Sequence, residues 1–526
     1  MIERVFLAGL SGSGKTTVAE LLGSWLGLPC YDIDGEIERA MGCPIAELWS
    51  AEGEPAFRAA ERSAVERLAA LSGPAVLALG GGTLENAASF AQLSSWGTGV
   101  WLDAPPEALA ERLGAAAAAR PLLAGRDPVL ALGELVAARG PRLEALHHRV
   151  DAEGRPPAAV AVDVLRALGA TPPHEIAETT FLGRGTLSQA GGLLAGLEMR
   201  PGEVVVATDG RVWSLHGRAL EEGLAASGWE VRPMALAEGE AAKSPDALAV
   251  LWRALVDAGA DRDSPLAVLG GGSVSDVAGL AAATYKRGIP LAIFPTTLLA
   301  QSDAAIGGKN AIDFAGIKNV IGTFHPPVLV ASDSLCLLTL SDRDYLSGWA
   351  EVVKSGMIGD PALLDLCERE ADAIRARRLE IVEEAVGRAA RVKAAIVARD
   401  PRETDQRRVL NLGHTVGHAI EATAEGALTH GEAVAIGIVA AARFAEAEGL
   451  ARPGVADRLS RILESLGLPV RPPIPLARAT LLARIAHDKK RAGGVLHAVL
   501  PIAPGEVVVH RLENGAIGRW VASALA

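Results

Sequence analysis

Short apolar runs alternate with longer stripes of helical period along the chain, and glycines punctuate the joins. Arg4 to Leu10 reads as a buried strand, and Val18 to Leu26 as an amphipathic helix behind it. Cys30-Tyr31-Asp32-Ile33-Asp34 reads as a strand end whose two carboxylates, two residues apart, share one face. Val76 to Leu79 is a further strand, ending in Gly80-Gly81-Gly82. Ala115 to Ala119 is a strong helix former. Gly154-Arg155-Pro156-Pro157 interrupts the pattern before a helix at Ala158–Leu168, and Gly169-Ala170-Thr171-Pro172-Pro173 reads as a linker. The pattern restarts near Thr179. Val204–Ala207 and a run ending at Val268-Leu269 are strands, and Val277–Thr284 is a helix of small residues. Ala433, Val434, Ile436 and Ile438 mark a helix that begins at His430. No internal repeat is visible.

With 526 residues the chain is too long for one core. The expected division is 1–168, a linker at 169–178 and a second part from 179 to 526. A hydrophobic fraction of 49% and a charged fraction of 22% suit a soluble globular enzyme. The net charge of −12 and the lack of a long basic run argue against a nucleic-acid partner. Four scattered cysteines, Cys30, Cys43, Cys336 and Cys367, read as reduced thiols. The N-terminus shows no cleavable signal, and no uncharged apolar run reaches the ~18 residues of a membrane helix. The expectation is a cytoplasmic protein with no membrane partner.

Gly9-Leu10-Ser11-Gly12-Ser13-Gly14-Lys15-Thr16 fits the phosphate-loop pattern, and strand, loop and helix stand in the required order. Backbone N–H groups converge on phosphate oxygens at the positive end of the helix. Lys15 neutralises them and the Thr16 hydroxyl ligates magnesium. Arg58 and Glu61 lie one helical turn apart, Arg120 precedes Pro121-Leu122-Leu123 in an Ala/Gly-rich stretch, and Arg139 follows a helical pattern. Each alone reads equally well as a turn former or a solvated charge. Together, GLSGSGKT, DID, the FR of AFRAAE, GGG, RPLL and the Arg of AARGP resemble shikimate kinase over residues 1 to about 168. The resemblance implies a three-layer α/β/α phosphate-loop fold. Gly12, Ser13, Gly14, Lys15, Thr16, Thr17 and Arg120 would hold ATP, with Thr16 and Asp32 serving Mg2+. Asp34, Arg58, Gly81 and Arg139 would hold shikimate, and Lys15 and Asp34 would act in catalysis. Paired guanidiniums suit a small carboxylate acceptor. Where the family usually carries Tyr, two residues after Pro141, this chain has Leu143.

His414 and His418 are four apart, so a helix would place both on one face. With His430 at a second helix start, two imidazoles can converge on one divalent metal. A carboxylate, for which Glu351 is the candidate, would complete three ligands. The same spacing also suits hydrogen-bonded core or cap histidines. Gly270-Gly271-Gly272-Ser273 closes a strand in the outline of a dinucleotide site, without the full G-x-G-x-x-G spacing. Glu238 to Ser244 offers acids and Lys243 for adenosine ribose and phosphate.

Residues 179 to about 510 are similar to 3-dehydroquinate synthase. The strings are EGEAAKS, GGGSVSDVAGLAAATYKRGIP, PTTLLAQSDAAIGGKN, GIKNVIG, GWAEVVKSGMI, LNLGHTVGHAIE, LTHGEAVAIG and HDKK. The resemblance implies a Rossmann-like α/β NAD subdomain at 179–340 followed by a mainly helical metal subdomain at 341–526. It also implies an NAD reduced and reoxidised within one turnover, and Zn2+ (or Co2+) on Glu351, His414 and His430. NAD would contact Glu238, Glu240, Lys243, Gly271, Gly272, Ser273, Val274, Ser275, Asp276, Thr296, Thr297, Lys309, Lys318 and Thr339. The substrate would be 3-deoxy-arabino-heptulosonate 7-phosphate. Asp303, Lys309, Asn319, Lys354, Lys393, Arg407, Asn411 and His418 would form its pocket, with Lys489 or Lys490 on its phosphate. Lys309, Lys354, Glu403 and His418 would be catalytic, the last two in proton transfer. Arg287 would reach into a partner subunit's site, which implies a homodimer. Asn310 stands for a usual Thr, and Leu412 for a common Phe. Two alternatives stay open at this stage. The second part could be a metal-dependent polyol dehydrogenase that releases reduced cofactor, and the first a degenerate kinase kept as a structural partner.

Overall fold

A computed structural model describes residues 4–491 and 496–525, the side chains of 118–119, 487–491 and 514 excepted. The chain divides into two compact units, Met1–Ala170 and Thr171–Ala526.

The first unit is built on five parallel strands: β1 (Arg4–Ala8), β2 (Cys30–Asp32), β3 (Ala75–Ala78), β4 (Thr98–Asp103) and β5 (His148–Asp151). Their order is β2-β3-β1-β4-β5. Successive residues of β1, Val5, Phe6 and Leu7, are all buried, so both sheet faces are covered, as a parallel sheet requires. β1 is central, and its C-terminal end delivers the chain into the glycine loop ahead of the helix Lys15–Leu26.

Three local expectations are corrected. Asp32 and Asp34 do not share a strand face: the strand stops at Asp32, whose side chain caps the helix Ile33–Met41 by accepting from the N–H groups of Asp34 and Gly35. A short acidic side chain at a strand end starts a helix more readily than it extends a strand. The alanine run forms a 3-10 turn, Gly114–Ala119, because Gly114 in the left-handed region (φ 47°) ends the preceding helix. Within the expected linker, His174–Ala177 forms a strand, since Thr180–Gly183 offers it an edge to pair with.

The second unit holds β6 (His174–Ala177), β7 (Thr180–Gly183), β8 (Glu203–Asp209), β9 (Glu230–Leu236), β10 (Leu266–Gly270), β11 (Leu291–Pro295), β12 (Lys309–Phe314), β13 (Ile317–Phe324), β14 (Leu329–Asp333), β15 (Leu496–Ala503) and β16 (Glu506–Leu512). Seven of them form one sheet, β6-β7-β14-β11-β10-β8-β9, parallel except for β6. Alternation is strict. Val205, Ala207, Val268 and Ile293 belong to one core, while Val204, Val206, Leu269 and Phe294 belong to the core on the other face. Chain order reverses between β8 and β10, which opens a crevice at their carboxyl ends.

Helices fill the rest, with two antiparallel hairpins, β12–β13 and β15–β16. At their centre lies the helix His430–Ala447, buried almost throughout. Two glycines on it admit neighbouring backbones. A Cβ on Gly431 would sit 1.8 Å from the Ser347 carbonyl oxygen, and one on Gly437 would sit 1.9 Å from that of Gly413. These approaches bring the helix Asp342–Gly359 beside His430 and place His414 at the start of the adjoining helix, His414–Thr423. Among the described residues no helix is long and apolar enough to cross a membrane.

Candidate active sites

In the first unit the glycine loop has the open conformation that an anion cradle needs, with Gly9, Gly12 and Gly14 all at positive φ. Lys15 Nζ donates to the Leu10 carbonyl at 2.9 Å. Burial lowers its pKa to about 8. Thr16 Oγ1 donates to Asp32 Oδ2 at 2.5 Å, so the two groups expected at magnesium already touch. Thr17 is exposed in the first helical turn, and Ser13 is buried. Arg120 Nη1 reaches Ser11 Oγ at 3.2 Å, across the loop.

Each glycine of the triplet clears space for one site residue. An added Cβ on Gly80 would meet Asp34 Oδ1 at 2.8 Å, on Gly81 Arg139 Nη1 at 3.4 Å, and on Gly82 Arg58 Nη1 at 2.6 Å. Burial, reinforced by Asp32, raises the Asp34 carboxyl to about 6. Arg58 is braced by Glu61 at 2.8 Å, and Glu61 accepts from Thr83 Oγ1 at 2.7 Å. A cleft of about 180 Å³ is lined by Gly81, Arg139, Arg142, Leu143 and Glu85. Leu143 lines the cleft with an apolar side chain, and neighbouring Arg142 donates to the Leu84 carbonyl. Glu85 and Arg142 lie in no motif that would mark them in the sequence.

In the second unit a crevice of about 450 Å³ opens at the carboxyl ends of β8, β10 and β11. Glu238, Gly271–Val274, Thr296, Thr297 and Thr339 line it, with Asp209 and His216. Asp209, unremarked in the sequence, ends β8 and accepts from the Val212 N–H at 2.8 Å. Gly271 precedes the helix Gly272–Thr284, whose unpaired N–H groups face the crevice end. Ser275 bonds back to the Gly271 carbonyl at 3.0 Å. Buried Lys243 pairs with Asp276 at 2.7 Å and also donates to Asn319. Ser273 donates to Glu240 at 3.2 Å.

The metal candidates converge. Glu351 Oε1 lies 3.4 Å from His414 Nε2 and 3.5 Å from His430 Nε2. His414 Nδ1 is tied to the Leu412 carbonyl at 3.0 Å and His430 Nδ1 to Glu421 Oε2 at 3.1 Å, which leaves both Nε2 atoms aimed inward. His418 is close by, its ring centroid 5.0 Å from that of His414 and 5.7 Å from that of His430. Burial and Lys354 lower the His414 pKa to about 3. Burial opposes charge on His430 as well, but Glu351 and Glu421 outweigh it and raise the pKa to about 9. Glu351 is only 1% exposed, and neither carboxylate oxygen has a hydrogen-bond partner of normal geometry among the described residues. A buried carboxylate, paired with Lys354 through one oxygen and facing two Nε2 atoms with the other, fits a divalent cation.

Beside this cluster lies a set of cations. Lys354 pairs with Glu351 and, at 3.5 Å, with Asp303; Lys393 meets Asp303 Oδ2 at 2.7 Å and its carbonyl at 2.8 Å. Lys309 pairs with Glu403, which accepts from Asn411 at 3.0 Å. Asp400 accepts three backbone N–H groups, those of Thr404, Asp405 and Arg407. It thereby holds the loop that carries Glu403 and the buried Arg407. Lys318 reaches Glu421 at 3.0 Å and Glu240 at 3.6 Å, joining the β12–β13 hairpin to the histidine cluster. Arg287 is exposed on the turn Tyr285–Arg287, where Lys286 and Arg287 both have positive φ; the contacts just described do not include it. Lys489 and Lys490 fall in the helix Arg478–Arg491, and their side chains lie outside the described residues. Asn310 is explained by its neighbour: it fills space that a Cβ on Gly279 would take, 1.8 Å from its Oδ1. Its amide satisfies the Gly308 and His325 carbonyls.

One unit thus has the makings of a phosphate-loop kinase for a small anionic acceptor, and the other those of a dinucleotide- and metal-dependent enzyme acting on an anionic substrate. Family models match accordingly: shikimate kinase at residues 11–169, 3-dehydroquinate synthase N-terminal at 233–347 and 3-dehydroquinate synthase C-terminal at 348–491. The 3-dehydroquinate synthase of Symbiobacterium thermophilum is 41% identical over 346 residues, 66% of this chain and 97% of that protein. That of Caulobacter vibrioides is 42% identical, over 64% and 92%. Among solved structures, 2-epi-5-epi-valiolone synthase from Streptomyces hygroscopicus with NAD+ and Zn2+ bound is 27% identical with a TM-score of 0.61, covering 67% of this chain and 98% of that one. The chain belongs to the 3-dehydroquinate synthase family through its second unit and carries a shikimate kinase domain ahead of it. It is a bifunctional shikimate-pathway enzyme, and the polyol dehydrogenase alternative falls away.

Proposed function

We propose that the first unit transfers the γ-phosphoryl group of MgATP to shikimate, giving shikimate 3-phosphate, and that the second converts 3-deoxy-D-arabino-heptulosonate 7-phosphate to 3-dehydroquinate and phosphate. The observation that carries the second reading is the approach of Glu351 to His414 and His430, walled by Lys354 and Lys393.

In the kinase, Arg58 and Arg139 hold the acceptor's carboxylate and Asp34 its ring hydroxyls. Asp34 takes the proton of the attacking hydroxyl, a role suited to a carboxyl whose pKa burial has raised to about 6. Lys15 and the loop N–H groups neutralise the transferring phosphoryl group, Thr16 and Asp32 serve magnesium, and Arg120 closes over ATP.

In the synthase, a divalent cation such as Zn2+ (or Co2+) would supply Lewis acidity for substrate oxygens, and NAD would supply a reversible hydride acceptor. Glu351, His414 and His430 hold the metal. The crevice from Glu238 to Thr339 holds NAD, with Lys243 and Asp276 at its base. Lys309, Lys393, Arg407 and Asn411 orient the substrate's anionic and hydroxyl groups. Glu403 and His418 shuttle protons at the substrate, and Lys354 keeps Glu351 ionised. The four cysteines, none in a disulfide among the described residues, suit a cytoplasmic setting. Phe314, Val320, Ile321 and Phe324 are exposed on the β12–β13 hairpin, which suits a homodimer with Arg287 at its seam. Mass spectrometry of products from shikimate with MgATP, and from the heptulosonate phosphate with NAD, tests both reactions. Absence of either product defeats that half of the reading.

A further inference from the structure

The two guanidiniums assigned to the acceptor's carboxylate already have a carboxylate between them. Arg139 Nε donates to Glu85 Oε1, and Glu85 Oε2 lies 3.8 Å from Arg58 Nη2. Arg139 is buried, whereas the Glu85 side chain is 45% exposed at the mouth of the 180 Å³ cleft that both residues line. Glu85 does not wander. It ends the 3-10 turn Thr83–Glu85. The preceding carbonyl, that of Leu84, is held by Arg142, and the following residue, Asn86, caps the next helix through the N–H groups of Ala88 and Ser89 at 2.9 and 3.0 Å. Its backbone is therefore fixed on both sides, while its side chain stands partly exposed to solvent.

We infer that Glu85 is a built-in competitor for the acceptor's carboxylate: it spans Arg58 and Arg139 in the empty cleft and must swing out before the acceptor binds. The inference rests on the assignment of those two arginines to the acceptor. Among the described residues three carboxylates pair with Arg58, and they are not equivalent. Glu61 is buried and tied to Thr83, so it braces the guanidinium from behind, and Glu54 is a helical neighbour four residues back. Glu85 alone links Arg58 to Arg139 across the cleft. An arginine pair neutralised in this way releases one ion pair for each one it gains, so binding is weaker than the pair could provide. Glu85 thus sets acceptor affinity without touching the transferring phosphoryl group.

The test is calorimetric titration of the full chain with shikimate, without ATP, for wild type, Glu85→Gln, Glu85→Ala, Arg139→Lys and Glu85→Gln/Arg139→Lys. Removal of the internal carboxylate is expected to tighten binding at least about threefold in both Glu85 variants, the scale of one partly exposed ion pair. Arg139→Lys alone weakens binding, and the gain from Glu85→Gln shrinks in the double variant. Unchanged or weaker binding in both Glu85 variants, with Arg139→Lys still weakened, overturns the inference and leaves Glu85 as a brace for Arg139. Unchanged binding in Arg139→Lys overturns the assignment of the arginine itself, and the inference with it.

Discussion

Glu421 holds His430. Its Oε2 lies 3.1 Å from Nδ1 of that histidine while its Oε1 accepts from Lys318 at 3.0 Å, so one carboxylate links a metal-facing imidazole to the nucleotide-side hairpin. A carboxylate on the remote ring nitrogen fixes the tautomer and makes Nε2 a better donor. Glu421→Gln is expected to weaken Zn2+ or Co2+ binding by about 10- to 100-fold in the full chain, read by titration of metal-free protein. Unchanged affinity would show that His430 needs no such support.

Gly431 is the closest backbone crossing at the site. A methyl group there would sit 1.8 Å from the Ser347 carbonyl, an atom of the backbone that cannot turn aside. Gly431→Ala should push apart the helices that carry His430 and Glu351. The expected cost is about 1–3 kcal/mol of stability, seen as a lower melting temperature of the synthase unit, with weaker metal binding. Gly426→Ala is the contrast for open space: nothing lies within 4 Å of its added Cβ, and any penalty comes from its φ of 88° alone.

Much of this was legible beforehand. The glycine loop, the histidine starts of two helices and the acid of WAEVV carry their chemistry in local strings. What distance in sequence hid is the support around them. Glu421 sits three residues past His418 with no pattern of its own, yet the fold turns it onto His430. Glu85 follows the glycine triplet as an ordinary polar residue, and only the folded cleft sets it between two arginines. Asp34 reads as a strand residue because the extended run before it masks the helix cap at Asp32. His174–Ala177 reads as linker because pairing at a sheet edge depends on a partner strand, which proline-rich composition does not show.

Protonation of Asp34 should set the acid limb of the kinase reaction. A protonated carboxyl cannot accept the hydroxyl proton, so kcat/KM is expected to fall as pH drops through about 6 rather than through the usual range near 4. Asp34→Asn should lose about 10²- to 10⁴-fold in kcat. An acid limb near 4 would mean that burial does not control this group.

Cutting the chain at Thr171–Pro173, at the start of the second compact unit, should leave each activity at its uncut rate, since the product of the second unit is not the acceptor of the first and each unit has its own core. Rates before and after cleavage at an inserted protease site check this. A large fall in either would show that one unit depends on the other.

The most direct measurement follows phosphate release and absorbance at 340 nm together, in one cuvette, with heptulosonate 7-phosphate and a small amount of NAD. The expected result is many phosphates per NAD with no NADH accumulation, stopped by a zinc-selective chelator and restored by Zn2+ or Co2+. NADH rising in step with turnover, or phosphate release indifferent to the chelator, would contradict a metal held by Glu351, His414 and His430 beside a recycling nicotinamide.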